Sequence, residues 1–217
     1  MRTQVTPNEN DDPQLLVIEV FADIGCPFTH VGLRRFVDRR AALGRHDVAM
    51  RVRSWPLEVV NGSPLDAHFI AEEVDDIRRQ VAPTLFAGFD EAAFPATFLP
   101  ALTLAAAAYA QSVTAGEDVS LAVRDLLFEQ GVDVSDREVL DRLAEEHHLE
   151  VDLGDPSQVL EDHREGIARG VVGSPHFFTP AGDFFCPALD VHRDDAGHLQ
   201  LAPDTDGFDR FISSCFG

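Results

Sequence analysis

The chain has 217 residues, 45% of them hydrophobic, and a formal net charge of −21, enough apolar material for one substantial domain or one domain carrying an insertion. That acidity argues against nucleic acid, whose phosphates want a basic surface, and against anionic membrane surfaces. Three cysteines are too few and of the wrong parity for a secreted disulfide framework, so a reducing cytoplasm is the expected setting.

Residues 1–13 are polar and acidic without an apolar stretch, and read as a disordered leader rather than a signal peptide. Leu15 to Phe21 is a β-favouring apolar run and predicts a buried strand. Asp23-Ile24-Gly25 makes a turn, and Cys26-Pro27 opens an amphipathic helix with Val31, Leu33, Phe36 and Val37 near helical spacing. Asp47 to Pro56 alternates apolar and polar residues, predicting a second strand, parallel to the first through a right-handed crossover. Asn61-Gly62-Ser63-Pro64 breaks the pattern.

From Leu65 to about Gly170 the pattern is helical, with segments expected at 66–81, 97–113, 118–130, 136–148 and 156–169. Ser135 and Glu138 have the spacing of a capping box, Asp155-Pro156 starts another helix, and Gly131 and Gly170 are expected terminators. Strand signals return at 175–179 and 183–186 around Pro180-Ala181-Gly182, then in a second ribbon at 189–193 and 198–201. Asp204 or Thr205 would cap a last helix.

Cys26 carries the chemistry. A thiol at a strand-to-helix junction faces unpaired N–H groups and the positive end of the helix dipole, which predicts a lowered pKa and a nucleophilic thiolate. The plainer alternative is a thiol buried under a helix end. Thr29, three residues on, falls on the same side of the first turn, where its hydroxyl can donate to the sulfur or be only part of the helix face. No Walker loop, dinucleotide fingerprint, Gly-x-Ser-x-Gly elbow or His-Glu-x-x-His is present. The histidines and acids around 145–163 are read as a solvated helix face, and no metal is expected.

Gly25-Cys26-Pro27-Phe28-Thr29-His30-Val31-Gly32 resembles the active-site start of the DsbA-like branch of the thioredoxin superfamily. That branch also holds FrnE-type proteins and the kappa-class glutathione transferase and 2-hydroxychromene-2-carboxylate isomerase group. Gly170 to Phe178 resembles the same family's segment leading to its cis-proline. The resemblance implies an α/β thioredoxin fold with a helical domain inserted between its β-α-β and β-β-α halves. Residues 14–62 and 171–217 would form the thioredoxin-like domain and residues 63–170 the insertion.

The resemblance further implies Cys26 as nucleophile with Thr29 beside it. Pro27, Phe28, Ser174 and Pro175 would contact substrate, the Ser174–Pro175 bond being cis and facing Cys26. Asp23, His30 and His176 are candidate supporting residues, each with a packing or turn-forming role as the plainer alternative. Redox-active relatives carry Cys-Pro-x-Cys, and Thr29 stands where the second cysteine would be. A monothiol mechanism follows: an external thiol, glutathione or mycothiol, releases the adduct, and no tightly bound cofactor is needed. Cys186 and Cys215 are candidate resolving thiols, although both sit in apolar surroundings. The expected partner is a thiol- or disulfide-bearing protein or small molecule, and a homodimer is left open. The first expectation is a thiol–disulfide oxidoreductase. The alternatives are a thiol-dependent isomerase or transferase, and a redox-inactive binding module. Trp55 and the aromatic residues Phe86, Phe89, Phe94, Phe98 and Tyr109 are expected in the core or along a substrate cleft.

Overall fold

The computed structural model describes residues 15–194 and 199–216. The expected leader and the turn at 195–198 therefore lie outside the described residues. The chain begins with strand β1 (Leu16–Ala22), helix α1 (Pro27–Ala42) and strand β2 (Val48–Ser54), with β1 and β2 parallel in the register Ile18 to Met50 and Val20 to Val52. Alternation sorts the side chains. Ile18, Val20, Met50 and Val52 enter a core with Leu33 and Phe36 of α1, while Phe21 packs on the other face with Trp55 and Val171.

Helices α2 (Leu57–Asn61), α3 (Ala67–Gln80), α4 (Leu99–Gln111), α5 (Val113–Gln130), α6 (Arg137–Glu146) and α7 (Ser157–Ala168) follow. The chain then returns through β3 (His176–Thr179), β4 (Gly182–Phe185), β5 (Leu189–Arg193) and β6 (Leu199–Pro203) to α8 (Thr205–Phe216). The main sheet has the order β2-β1-β3-β4, with β3 antiparallel to both neighbours, and β5-β6 is a separate ribbon. This is a thioredoxin-like fold with helices interposed between its two halves, as the resemblance implies. Among the described residues no helix is long and apolar enough to cross a membrane.

The interposed helices cover the outer edge of β2, whose open N–H and C=O groups need partners. Met50 N donates to Glu117 of α5 at 2.7 Å, Tyr109 Oη of α4 donates to Met50 O at 3.1 Å, and Ser54 N donates to Asp162 of α7 at 3.1 Å. Tyr109 therefore belongs to the core, as do Trp55, Phe86 and Phe98, all buried.

Several expectations change in detail. The segment 57–61, to which no element is assigned from the sequence, forms a short helix, and the Asn61-Gly62 break is its end, with Gly62 left-handed at φ 68°. Helix α5 starts at Val113 rather than 118, because Ser112 Oγ accepts from Ala115 N and caps it five residues earlier. Helix α6 is capped by Asp136, which accepts from Glu138 N at 2.8 Å. The expected cap, Ser135, instead donates through both its amide and its hydroxyl to Asp133. Asp204 caps α8, accepting from Gly207 N at 2.7 Å.

Candidate active site

Cys26 is the residue at the head of α1, in extended conformation at φ −83° and ψ 113°, with Pro27 beginning the helix. The Ser174–Pro175 peptide bond is cis. Pro175 approaches α1 at Gly32, whose added Cβ would stand 3.5 Å from the proline ring. Across the gap the Cys26 thiol donates to Ser174 O at 3.3 Å. The two segments singled out in the sequence therefore meet in space.

Hydroxyl groups connect them. Asp23 N donates to Ser174 Oγ at 2.9 Å, and Ser174 Oγ lies 2.7 Å from Thr29 Oγ1. An amide can only donate, so Ser174 Oγ accepts from Asp23 N; either hydroxyl can be the donor in the contact between Ser174 and Thr29, and both lie beside the sulfur. Thr29 is fully buried, and Cys26 is 4% exposed.

The electrostatic expectation for Cys26 is corrected. Burial pushes the thiol up, against the Thr29 hydroxyl and N–H and the Ser174 hydroxyl, which favour thiolate; the nearby Asp23 charge raises it further. Desolvation disfavours the charged form more than the helix end favours it. The S–H form, which burial favours, is the one that donates to Ser174 O.

Asp23 serves as a turn former. Its two carboxylate oxygens accept from Gly25 N at 2.6 Å and Leu57 N at 2.7 Å. Burial pushes it up to about 6, against those amides and the Arg124 charge. His30 and His176 face elsewhere. His30 Nε2 lies 2.7 Å from Glu129 Oε1, with its ring against Phe86 and Phe128. His30, together with the Phe86 and Ala87 amides, holds Glu129 at about 2 despite burial. His176 Nδ1 accepts from Val172 N at 3.2 Å and its Nε2 meets Asp183 at 2.9 Å, which braces the loop before Pro175. Both histidines position backbone rather than touch the sulfur.

The other thiols are poor resolving candidates. Cys186 N donates to Pro175 O at 3.0 Å, which brings its backbone close, but burial pushes its thiol up to about 12. Cys215 lies in the core beneath α8, and burial likewise pushes it to about 12. Cys26, Cys186 and Cys215 are all free thiols.

Two charged residues near the site are absent from the sequence expectations. Arg124 is 1% exposed; its Nη1 donates to Ser120 O and Oγ, each at 2.7 Å, and its Nη2 to Asp23 O at 3.2 Å. Its Nε has no hydrogen-bond partner among the described residues. Glu73, also buried, lines the cavity of about 310 Å3 that opens on Cys26. The signal for both was a charge on an apolar helical stripe: Arg124 stands with Ser120, Leu127 and Phe128, and Glu73 with Ile70 and Ile77. Pro27, Phe28 and Ser174 line the same cavity, together with Leu57 and Leu65.

Solved structures with this architecture include the cytosolic disulfide reductase DsbM from Pseudomonas aeruginosa, with a TM-score of 0.54 at 16% identity over 91% of this chain and 97% of that one. A putative protein disulfide isomerase from Nitrosomonas europaea gives 0.57 at 12% identity over 91% and 97%. A 2-hydroxychromene-2-carboxylate isomerase gives 0.54 at 14% identity over 78% and 88%. At these identities the likeness is one of fold. No curated protein matches the sequence. The profile of the DSBA-like thioredoxin domain matches residues 17–194, and with that span matched the chain belongs to the DSBA-like thioredoxin family.

Proposed function

We propose that this protein is a monothiol thiol–disulfide exchange enzyme that works in the reducing direction, with Cys26 as nucleophile. The observation that carries the reading is the Cys26 sulfur lying 3.3 Å from the Ser174 carbonyl, with the Thr29 hydroxyl where a second thiol would have to be. Cys26, once deprotonated, attacks one sulfur of a substrate disulfide; a new S–S bond forms and the other substrate sulfur leaves as thiolate, taking up a proton. An external low-molecular-weight thiol then attacks the substrate sulfur bound to Cys26, forming a new disulfide and expelling the Cys26 thiolate. One substrate sulfur has then left as thiol, and the other is held in a mixed disulfide with the external thiol. A second equivalent of that thiol attacks its own sulfur in the mixed disulfide and releases the second substrate thiol. The substrate disulfide is thereby reduced, and two external thiols are oxidised to their disulfide. The direction is set by the external thiol, which supplies the electrons that a second cysteine would otherwise hold.

A second reading draws on the same neutral S–H. In an isomerase or transferase, Cys26 and Thr29 would donate hydrogen bonds to the thiolate of a bound thiol, which would be the nucleophile, with no net disulfide made. Two assays separate the readings. Reduction of bis(2-hydroxyethyl) disulfide with an added thiol should be abolished by Cys26→Ser and nearly intact in Cys186→Ser and Cys215→Ser. Conjugation of a thiol to an electrophile with no disulfide turnover would favour the second reading, and turnover in neither assay a non-catalytic binding role.

A further inference from the structure

The cavity on Cys26 has a charge character that bears on which thiol can enter it. It is walled by Phe28, Leu57, Leu65, Phe69 and Ile70, all apolar, while its charged lining residues are Asp66 and Glu73, with no basic side chain among the described residues that line it. Asp66 is exposed and caps α3, accepting from Phe69 N. Glu73 is the buried one, and it also lines the adjoining groove of about 460 Å3 together with Glu72, Asp75 and Asp76. Arg193 meets Glu73 at 3.2 Å from that groove and lies 5.0 Å over the Phe69 ring. The guanidinium that meets Glu73 thus belongs to the groove, which Arg79 also lines, while the cavity on Cys26 adds only the uncharged polar groups of Asn61 and Ser174 to its two carboxylates and hydrocarbon.

We infer that Glu73 is a specificity-determining residue and that the thiol releasing Cys26 is a small one bearing no net negative charge, either neutral or carrying an ammonium group. The inference rests on the exchange reading proposed above. An incoming carboxylate meets the Glu73 carboxylate with no cation among the lining residues to receive it, whereas an ammonium finds a partner there. Electrostatic fit of this kind acts on rate and selectivity. Glutathione, with two carboxylates and one ammonium, falls on the disfavoured side.

The experiment prepares Cys26 as its 2-mercaptoethanol mixed disulfide, using bis(2-hydroxyethyl) disulfide. Loss of the adduct from the Cys26 peptide is then timed with cysteamine, 2-mercaptoethanol and 3-mercaptopropionate, each rate corrected for that thiol's own thiolate fraction. At about pH 8, where the buried carboxyl is mostly ionised, cysteamine should outpace 3-mercaptopropionate by about tenfold, with 2-mercaptoethanol between them. The preference should shrink to about threefold or less in Glu73→Gln and stay unchanged in Glu72→Gln, which removes an exposed charge from the next position of the same helix. Equal rates for the cationic and anionic thiols, a preference unaltered by Glu73→Gln, or an equal loss in Glu72→Gln would each overturn the inference. If no adduct forms on Cys26, the exchange reading falls instead. The ratio of iodoacetamide to iodoacetate alkylation of Cys26, taken against free cysteine, then judges the charge selection alone. A raised ratio that Glu73→Gln lowers upholds it, and a ratio equal to that of free cysteine overturns it.

Discussion

Ser174 meets three demands at once: its carbonyl accepts the Cys26 thiol, its hydroxyl accepts from Asp23 N, and the same hydroxyl reaches Thr29. The sulfur is therefore balanced between burial, which favours S–H, and hydroxyl donors, which favour S−. Charge enters from two sides. The Asp23 carboxylate raises the thiol, while the buried Arg124 guanidinium, bonded to Asp23 O, interacts favourably with ionised Asp23 and Cys26. The pH profile of iodoacetamide alkylation should have its midpoint above the free-cysteine value of about 8.5. Thr29→Val and Arg124→Met should each move it further up, by about half a unit to one unit, and Asp23→Asn should move it down. Coincident midpoints in all four proteins would remove this account of the sulfur.

Glu73 offers a separate check on burial. Desolvation pushes it up to about 7 against the pull of Arg193, with Asp76 adding to the rise. The folded state therefore binds its proton more tightly than the unfolded chain does. Stability from this group is fully present below its unfolded pKa of about 4.3 and is lost as pH rises through about 7. Glu73→Gln removes that loss, so its melting temperature relative to the wild type should rise by a few degrees between about pH 5 and pH 8. A constant difference across that range would contradict the burial argument.

At the scale of elements, close packing onto glycine positions the helices. The Gly25 turn before Cys26 is closed by Phe98, whose ring atoms would lie 2.5 Å from an added Cβ. Gly166 of α7 lies against Trp55, where a Cβ would stand 2.6 Å from the indole and 3.0 Å from Phe21. A glycine inside an exposed helix usually gains about 1 kcal/mol on replacement by alanine. Here overpacking should win, and Gly166→Ala should destabilise the fold by about 1–3 kcal/mol, read as a lowered urea midpoint. A gain would mean that the indole moves aside freely.

Much at this scale was legible in the sequence. The strand–turn–helix around Cys26 and the hairpin after Pro175 carry local signals of period and turn chemistry, and both form. What escaped was tertiary. The Thr29–Ser174 hydroxyl pair joins residues 145 positions apart, and no periodicity reports such a contact. Arg124 and Glu73 are charges on apolar faces, which composition assigns to solvent. Helix α2 is five residues long, too short for a periodic signal, and the lowered pKa expected from the helix end did not anticipate how deeply the sulfur is buried.

For the molecule as a whole, the interposed helices do more than cover the sheet edge: α2 and α3 wall the cavity over the sulfur, and α5 supplies the cation beneath the turn. By the resemblance of its Cys26 segment, this chain has Thr29 where redox-active relatives carry a second cysteine. The account therefore depends on a chemistry that cannot finish within the chain. The direct measurement is the intact mass of the protein after exposure to a small disulfide with no thiol added. One adduct should persist on Cys26 and disappear only when an external thiol is supplied. A mass lower by the two hydrogens of an internal disulfide, with no adduct retained, would contradict it.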